Sequence, residues 1–206
     1  MRAAVFDVGG VLLEWDAPRL FRSVLGDDDA VARFMAEVRF AEWNTTLDRG
    51  EPFATSVAAL GERYPEWAAV IDAFGTRWSE CIGPAYADAL ALIADLRDAG
   101  VPCFALSNSS VEALGQNQLA MEVFSQLDGV LLSGEIGVCK PDPEIYAEAE
   151  RRFGLHPATT WFTDDNASNV AAAVARGWSG HVCTDPSELR AAATAAGLLS
   201  APSTSD

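Results

Sequence analysis

Acidic and polar residues stand where short apolar runs stop in this 206-residue chain. Asp7 lies near the end of the run at 3–8, which halts at Gly9-Gly10. Ser107 and Asn108 follow the run at 101–106, and Asp164 and Asp165 follow the run at 159–163. Lys140 precedes Asp142-Pro143. Three carboxylates brought together repel one another and need a counter-charge. A hard divalent cation with oxygen ligands supplies it, and Mg²⁺ is the usual choice beside phosphate. Lys140, Ser107 and exposed glycine-loop N–H groups, Gly10 among them, suit the oxygens of a phosphoryl group. Asp7 is then placed to attack phosphorus and form an aspartyl-phosphate, with Lys140 and the cation holding the charge of the transferring group. Each residue alone has a plainer reading: an Asp after a strand caps a helix or forms a turn, and a lone Lys is solvated surface. The chemical reading rests on four such places at one edge of one sheet.

The elements around these residues supply that edge. The runs at 3–8, 101–106, 129–132, 159–163 and 181–183 read as short buried strands. Helices alternate with them: one opened by Gly83-Pro84 and stopped by Gly100, one at 111–119, one capped by Asp142 with Pro143 in its first turn and ended by Gly154, one at 169–176, and one at 186–196. This alternation predicts an α/β fold, a Rossmann-like open and mainly parallel sheet, with ligands bound at the carboxyl ends of the strands. Residues 15–83 differ. Charged residues, alanine and spaced aromatics give helical composition without a convincing strand, so this stretch reads as an inserted helical cap. The expected division is a core of 1–14 and 84–199, a cap of 15–83 and a mobile tail of 200–206. Trp43, Trp67 and Trp78 are expected in the cap's own apolar core.

Composition narrows the rest. Half of the residues are hydrophobic and 21% are charged, which suits a globular chain. The net charge of −16 argues against nucleic acid or an anionic membrane as a partner. Cys81, Cys103, Cys139 and Cys183 form no CxxC pair, and His156 and His181 stand apart from every motif, so neither a zinc site nor a disulfide framework is expected. Asp7 interrupts the apolar start, which argues against a signal peptide, and no run is long enough to span a membrane. A cytoplasmic location is the expectation.

The motifs also carry a resemblance. Phe6-Asp7-Val8-Gly9-Gly10-Val11, Leu106-Ser107-Asn108, Cys139-Lys140-Pro141-Asp142-Pro143-Glu144-Ile145-Tyr146, and Phe162-Thr163-Asp164-Asp165-Asn166 with Asn169 resemble, in order and spacing, the four motifs of the haloacid dehalogenase (HAD) superfamily. The opening FDVGGVLLEWD and the segment WNTTLDRGE at 43–51 resemble a small-capped bacterial subgroup that includes a glucose-1-phosphate phosphatase. The resemblance implies Asp7 as nucleophile and Mg²⁺ ligand, the Gly9 carbonyl as a further ligand, and Asp164 and Asp165 as ligands or their support. It implies Ser107, the Asn108 N–H and Lys140 on the phosphate of a small phosphorylated metabolite.

One position departs from the pattern. Most phosphatases of the superfamily carry, two residues after the nucleophile, an Asp that protonates the leaving alcohol. Gly9 stands there and cannot transfer a proton. Either the leaving group needs no acid, or another acid reaches in from Glu14, Asp16 or the cap, or the chain binds phosphorylated ligands without turnover. A metal-independent 2-haloacid dehalogenase is the rival hydrolase, and the pair Asp164-Asp165 favours the phosphatase over it. Arg49, before Gly50 in the cap, is a candidate substrate contact.

Overall fold

The computed structural model describes residues 2–200. The residues assigned to a tail therefore lie almost wholly outside the described part. Seven strands occur among the described residues: β1 (Ala3–Phe6), β2 (Leu13–Trp15), β3 (Ile82–Ala85), β4 (Cys103–Ser107), β5 (Gly129–Leu132), β6 (Thr160–Asp164) and β7 (Ser179–Val182). Five form one sheet in the order β5-β4-β1-β6-β7, and every pairing in it is parallel. The expected α/β open parallel sheet is the fold observed. All residues of β1, β4 and β6 are buried, because helices cover both faces of the sheet. Apolar runs without polar alternation are what such strands require.

The order of strands decides where the polar residues meet. β1 lies between β4 and β6, so the chain leaves β1 toward opposite sides of the sheet. Phe6 registers with Ala105 on one side and Thr163 on the other. The residues that follow, Asp7 and Asp164 directly and Ser107 one position further on, therefore emerge at one edge, at the switch point where α/β sheets bind ligands.

Five α-helices come between β2 and β3: α1 (Ala17–Leu25), α2 (Asp28–Glu37), α3 (Phe40–Asp48), α4 (Phe53–Arg63) and α5 (Ala68–Arg77). They share an apolar cluster separate from those on the sheet. Phe21 is at its centre, with the rings of Phe34, Phe40 and Phe74 at centroid distances of 4.9, 5.0 and 5.8 Å. Asp16 caps α1 by accepting from the Arg19 N–H at 3.1 Å, and Gly26 ends it in the left-handed conformation.

Two expectations are corrected. Gly83-Pro84 does not open a helix: it lies in β3, which pairs antiparallel with β2, and the next helix spans Ala87–Asp98. The two strands are the two passages between sheet and cap, each too short to show a period in sequence. The helix expected at 111–119 is two, Val111–Leu114 and Gln118–Phe124, because Asn117 caps the second by accepting from the Ala120 N–H. Trp67 is buried in the cap cluster, and Trp43 and Trp78, half-buried, pack against it, as expected. No helix among the described residues is long and apolar enough to cross a membrane.

Candidate active site

Lys140 stands at the centre of the polar edge. Its Nζ lies 2.7 Å from Asp7 Oδ1, 2.7 Å from Asp164 Oδ2 and 2.7 Å from the Leu106 carbonyl. An ammonium has three protons to donate, and these three acceptors use them all. Burial acts to lower the Lys140 pKa, but the two carboxylates outweigh it and raise it, so the side chain stays charged. Asn108 holds this lysine by its backbone. Its amide donates to the Lys140 carbonyl at 2.9 Å, and its side-chain oxygen accepts from the Lys140 N–H at 2.7 Å.

Asp7, Asp164 and Asp165 each offer an oxygen, and the three oxygens lie within 4.8 Å of one another. Asp7 is buried and its Oδ1 also accepts from the Val8 N–H at 2.7 Å. Burial, followed by the charge of Asp164 against the opposing pull of Lys140, pushes its carboxyl up to about 7. Asp165 is more exposed and is likewise raised by burial and by Asp164. Asp164 is fully buried and held by the Asn166 N–H at 2.8 Å and the Asn169 amide at 3.0 Å. Asn169 belongs to the last motif but receives no role from sequence; here it orients a carboxylate.

The Gly9-Gly10 turn brings backbone close to these groups. The Val8 carbonyl accepts from the Leu12 and Leu13 N–H groups, and the Gly10 N–H donates to the Leu13 carbonyl at 2.8 Å. The Gly10 amide is thus already used, so its expected place among phosphate donors is corrected to one of shape. Gly10 has φ +75°, and a Cβ there would stand 2.6 Å from Asp165 Oδ2. A Cβ at Gly9 would meet Trp15 Cβ at 3.3 Å, so the ring-bearing residue of β2 crowds the place of the missing acid.

Above this edge is a cavity of about 220 Å³ between sheet and cap. Asp7, Gly9, Gly10, Ser107, Asn108, Lys140 and Asp165 line its floor. Trp15, Phe53, Trp78 and Ile82 give it an apolar wall. The haloacid dehalogenase-like hydrolase family model matches residues 1–177. The chain is a haloacid dehalogenase-like hydrolase.

Relatives of this hydrolase divide by chemistry. It is 27% identical to the sesquiterpene phosphatase astK of Aspergillus oryzae over 89% of this chain and 90% of that protein. It is 33% identical to an (S)-2-haloacid dehalogenase of a Pseudomonas species, over 46% of this chain and only 42% of the dehalogenase. A HAD-like hydrolase structure from Porphyromonas gingivalis superposes with a TM-score of 0.69 and 25% identity, covering 96% of this chain and 98% of that one. A HAD family enzyme from Bacteroides thetaiotaomicron, crystallised with magnesium and inorganic phosphate, has the same fold at a TM-score of 0.68 and 22% identity, over 92% of this chain and 98% of that one.

The cap face of the hydrolase's cavity holds what the motifs do not show. Asn44 and Asp48, one turn apart on α3, line it. The Asn44 amide donates to Asp48 Oδ2 at 3.0 Å. Burial raises the Asp48 carboxyl from its ordinary 3.8 to about 7, against the Asn44 hydrogen bond and the charge of Lys140. Glu14 and Asp16 do not line the cavity: Glu14 pairs with Arg19 at 3.1 Å, and Asp16 is the cap of α1. Arg49 does not line it either, but reaches Asp142 Oδ2 at 3.5 Å. That pairing accounts for Asp142, which makes no side-chain cap to the helix Pro143–Phe153. Trp78 packs against the cap core, as expected, and also forms part of the cavity wall.

Proposed function

We propose that this hydrolase is a Mg²⁺-dependent phosphatase that transfers the phosphoryl group of a small phosphomonoester, such as a sugar phosphate, to Asp7 and then to water. The observation that carries this reading is a charge imbalance. Three carboxylates, Asp7, Asp164 and Asp165, share one edge with a single ammonium, Lys140, so the edge is two positive charges short of neutral. An all-oxygen set with that deficit fits a hard dication. Asp7, Asp164, Asp165 and the Gly9 carbonyl would hold it, and it would draw charge from the phosphoryl oxygens.

The chain's own residues do the rest. Lys140 and the Val8 N–H fix Asp7 Oδ1, leaving its other oxygen free to attack phosphorus in line with the leaving oxygen. The Ser107 hydroxyl and the Asn108 N–H hold phosphoryl oxygens from the other side of the turn. Lys140 stays charged through the cycle and offsets the phosphate's charge.

The test is phosphate release from acetyl phosphate, glucose 1-phosphate and glucose 6-phosphate, with Mg²⁺ and with a chelator, in wild type and Asp7→Asn. Turnover that needs Mg²⁺ and falls by about 10⁴-fold or more in the variant is the expected result. Halide release from a 2-haloacid in the presence of the chelator would overturn it, as would turnover retained by Asp7→Asn.

A further inference from the structure

Only three carboxylates among the described residues line the cavity: Asp7, Asp165 and Asp48. Two are committed to the acidic edge. The third sits across the cavity, on the cap, and no histidine accompanies it. Gly9 leaves the reaction without its usual proton donor, and Glu14 and Asp16 are engaged elsewhere. We propose that Asp48 is the general acid–base of this hydrolase, protonating the leaving oxygen and then activating water. The inference rests on the phosphatase reading above.

The cap holds Asp48 against the sheet with a closeness that suits catalysis. Its carbonyl accepts from the Ser133 hydroxyl at 2.5 Å, on the 3-10 turn Ser133–Glu135 that follows β5. Gly50, two residues on, has φ +92°, and a Cβ there would stand 2.8 Å from the Gly134 carbonyl. Arg49 reaches across to Asp142. The stretch 48–50 thus lies close against the sheet domain at three successive residues, and moving Asp48 away with α3 would break the hydrogen bond and the ion pair. Asn44 then fixes the carboxyl from the preceding turn. The groups around it are Lys140 on the floor, Arg49 beside it and the Cys139 thiol, whose own pKa is raised by burial and, further down, by Asp48. A carboxyl that keeps its proton to about pH 7 has one to give at neutral pH.

The atoms balance over two steps. In the first, an Asp7 oxygen bonds to phosphorus, the bond from phosphorus to the leaving oxygen breaks, and the Asp48 proton goes to that oxygen. The products are an alcohol, the aspartyl-phosphate and the Asp48 carboxylate. In the second, the carboxylate takes a proton from water, the water oxygen bonds to phosphorus, and the bond to Asp7 breaks. Phosphate leaves and both residues are restored.

The decisive measurement is kcat/KM, which ends at departure of the leaving group, for Asp48→Asn and wild type with Mg²⁺. Asn keeps the shape of the side chain and lacks the proton. On glucose 6-phosphate, whose alkoxide leaves poorly, the variant should fall by about 10²–10⁴-fold. On acetyl phosphate the fall should be under about 10-fold, and phosphorylated protein should accumulate in the variant, visible by intact mass, because no base activates water. A wild-type pH profile checks the same point without a variant: the ratio of glucose 6-phosphate to acetyl phosphate kcat/KM should drop above about pH 7. Equal losses on both substrates, a ratio independent of pH, or a wild type that turns over acetyl phosphate and no alkyl ester would overturn the role of Asp48 alone. A wild type that releases phosphate from none of them would overturn the phosphatase reading and Asp48 with it.

Discussion

Lys140 and Asp48 face the same cavity and are held on different terms. Lys140 is buried in the sheet domain with all three of its protons engaged, and every group around it comes from a strand end or the loop beside one. Asp48 hangs from the cap, half-buried, fixed by one amide and by the docking of its own backbone. Around Lys140 the floor is a closed hydrogen-bonded unit, though one with more negative than positive charge. The roof carries one titratable group whose proton is loosely spoken for. In the proposed reaction, chemistry that must not vary, holding and attacking a phosphoryl group, belongs where geometry is over-determined. A proton that must move belongs where burial is the largest influence on it.

The contrast can be broken from the floor first. Lys140→Ala leaves Asp7 and Asp164 buried and facing each other without a cation. The expected cost is about 3–5 kcal/mol of folding stability by urea unfolding, because an uncompensated buried charge is left behind. Added Mg²⁺ should recover part of it. A loss below about 1 kcal/mol would mean that the floor is not the closed unit described.

A smaller effect is expected at the turn. Gly10→Ala forces an L-residue into φ +75° and drives a methyl into Asp165 Oδ2. The backbone strain alone is worth about 1–3 kcal/mol. Its sharper consequence is a displaced Asp165, so Mg²⁺ affinity by calorimetry should fall by more than the stability does.

The smallest effect sharpens the roof. The Asp48 carboxyl is raised from 3.8 to about 7 by burial. Between those values the folded chain keeps a proton that the unfolded chain has released, so its contribution to stability falls as pH rises and is gone above about pH 7. Asp48→Asn cannot ionise and avoids that loss. Its melting temperature should exceed that of wild type by a few degrees at pH 8, with the gap closing toward pH 4. A variant less stable than wild type at pH 8 would mean that the ionised carboxylate is welcome at the cavity wall.

Much of the floor is legible in the sequence, for a local reason. β1, β4 and β6 are continuous apolar runs, and each functional residue stands at or just after the end of its run. A parallel sheet brings such ends together whatever the details of packing. The passages β2 and β3 are not legible. Each is three or four residues long, and Gly83-Pro84 carries the stronger signal of a helix start. Asn169 lies within a recognised motif, yet its work on Asp164 appears only once Asn169 is seen packed against β6. Arg49 and Asp142 taken singly suggest a substrate contact and a helix cap, and their pairing across the two domains cancels both readings.

What the sequence by itself determined is the sheet, its motif-bearing edge and the deficit of positive charge there, because these follow from residue type and near neighbours. What the tertiary structure decided is which of the chain's 30 acidic residues faces Asp7 from the cap. Asp48 is 41 positions from Asp7 (48 − 7) and shares with other acids its type, its helix and its charge. Only the docking of 48–50 on the Ser133–Glu135 turn and on Asp142 places it at the cavity, and only the burial that follows raises its pKa. Both are properties of two distant segments in contact, and no spacing along one chain encodes them.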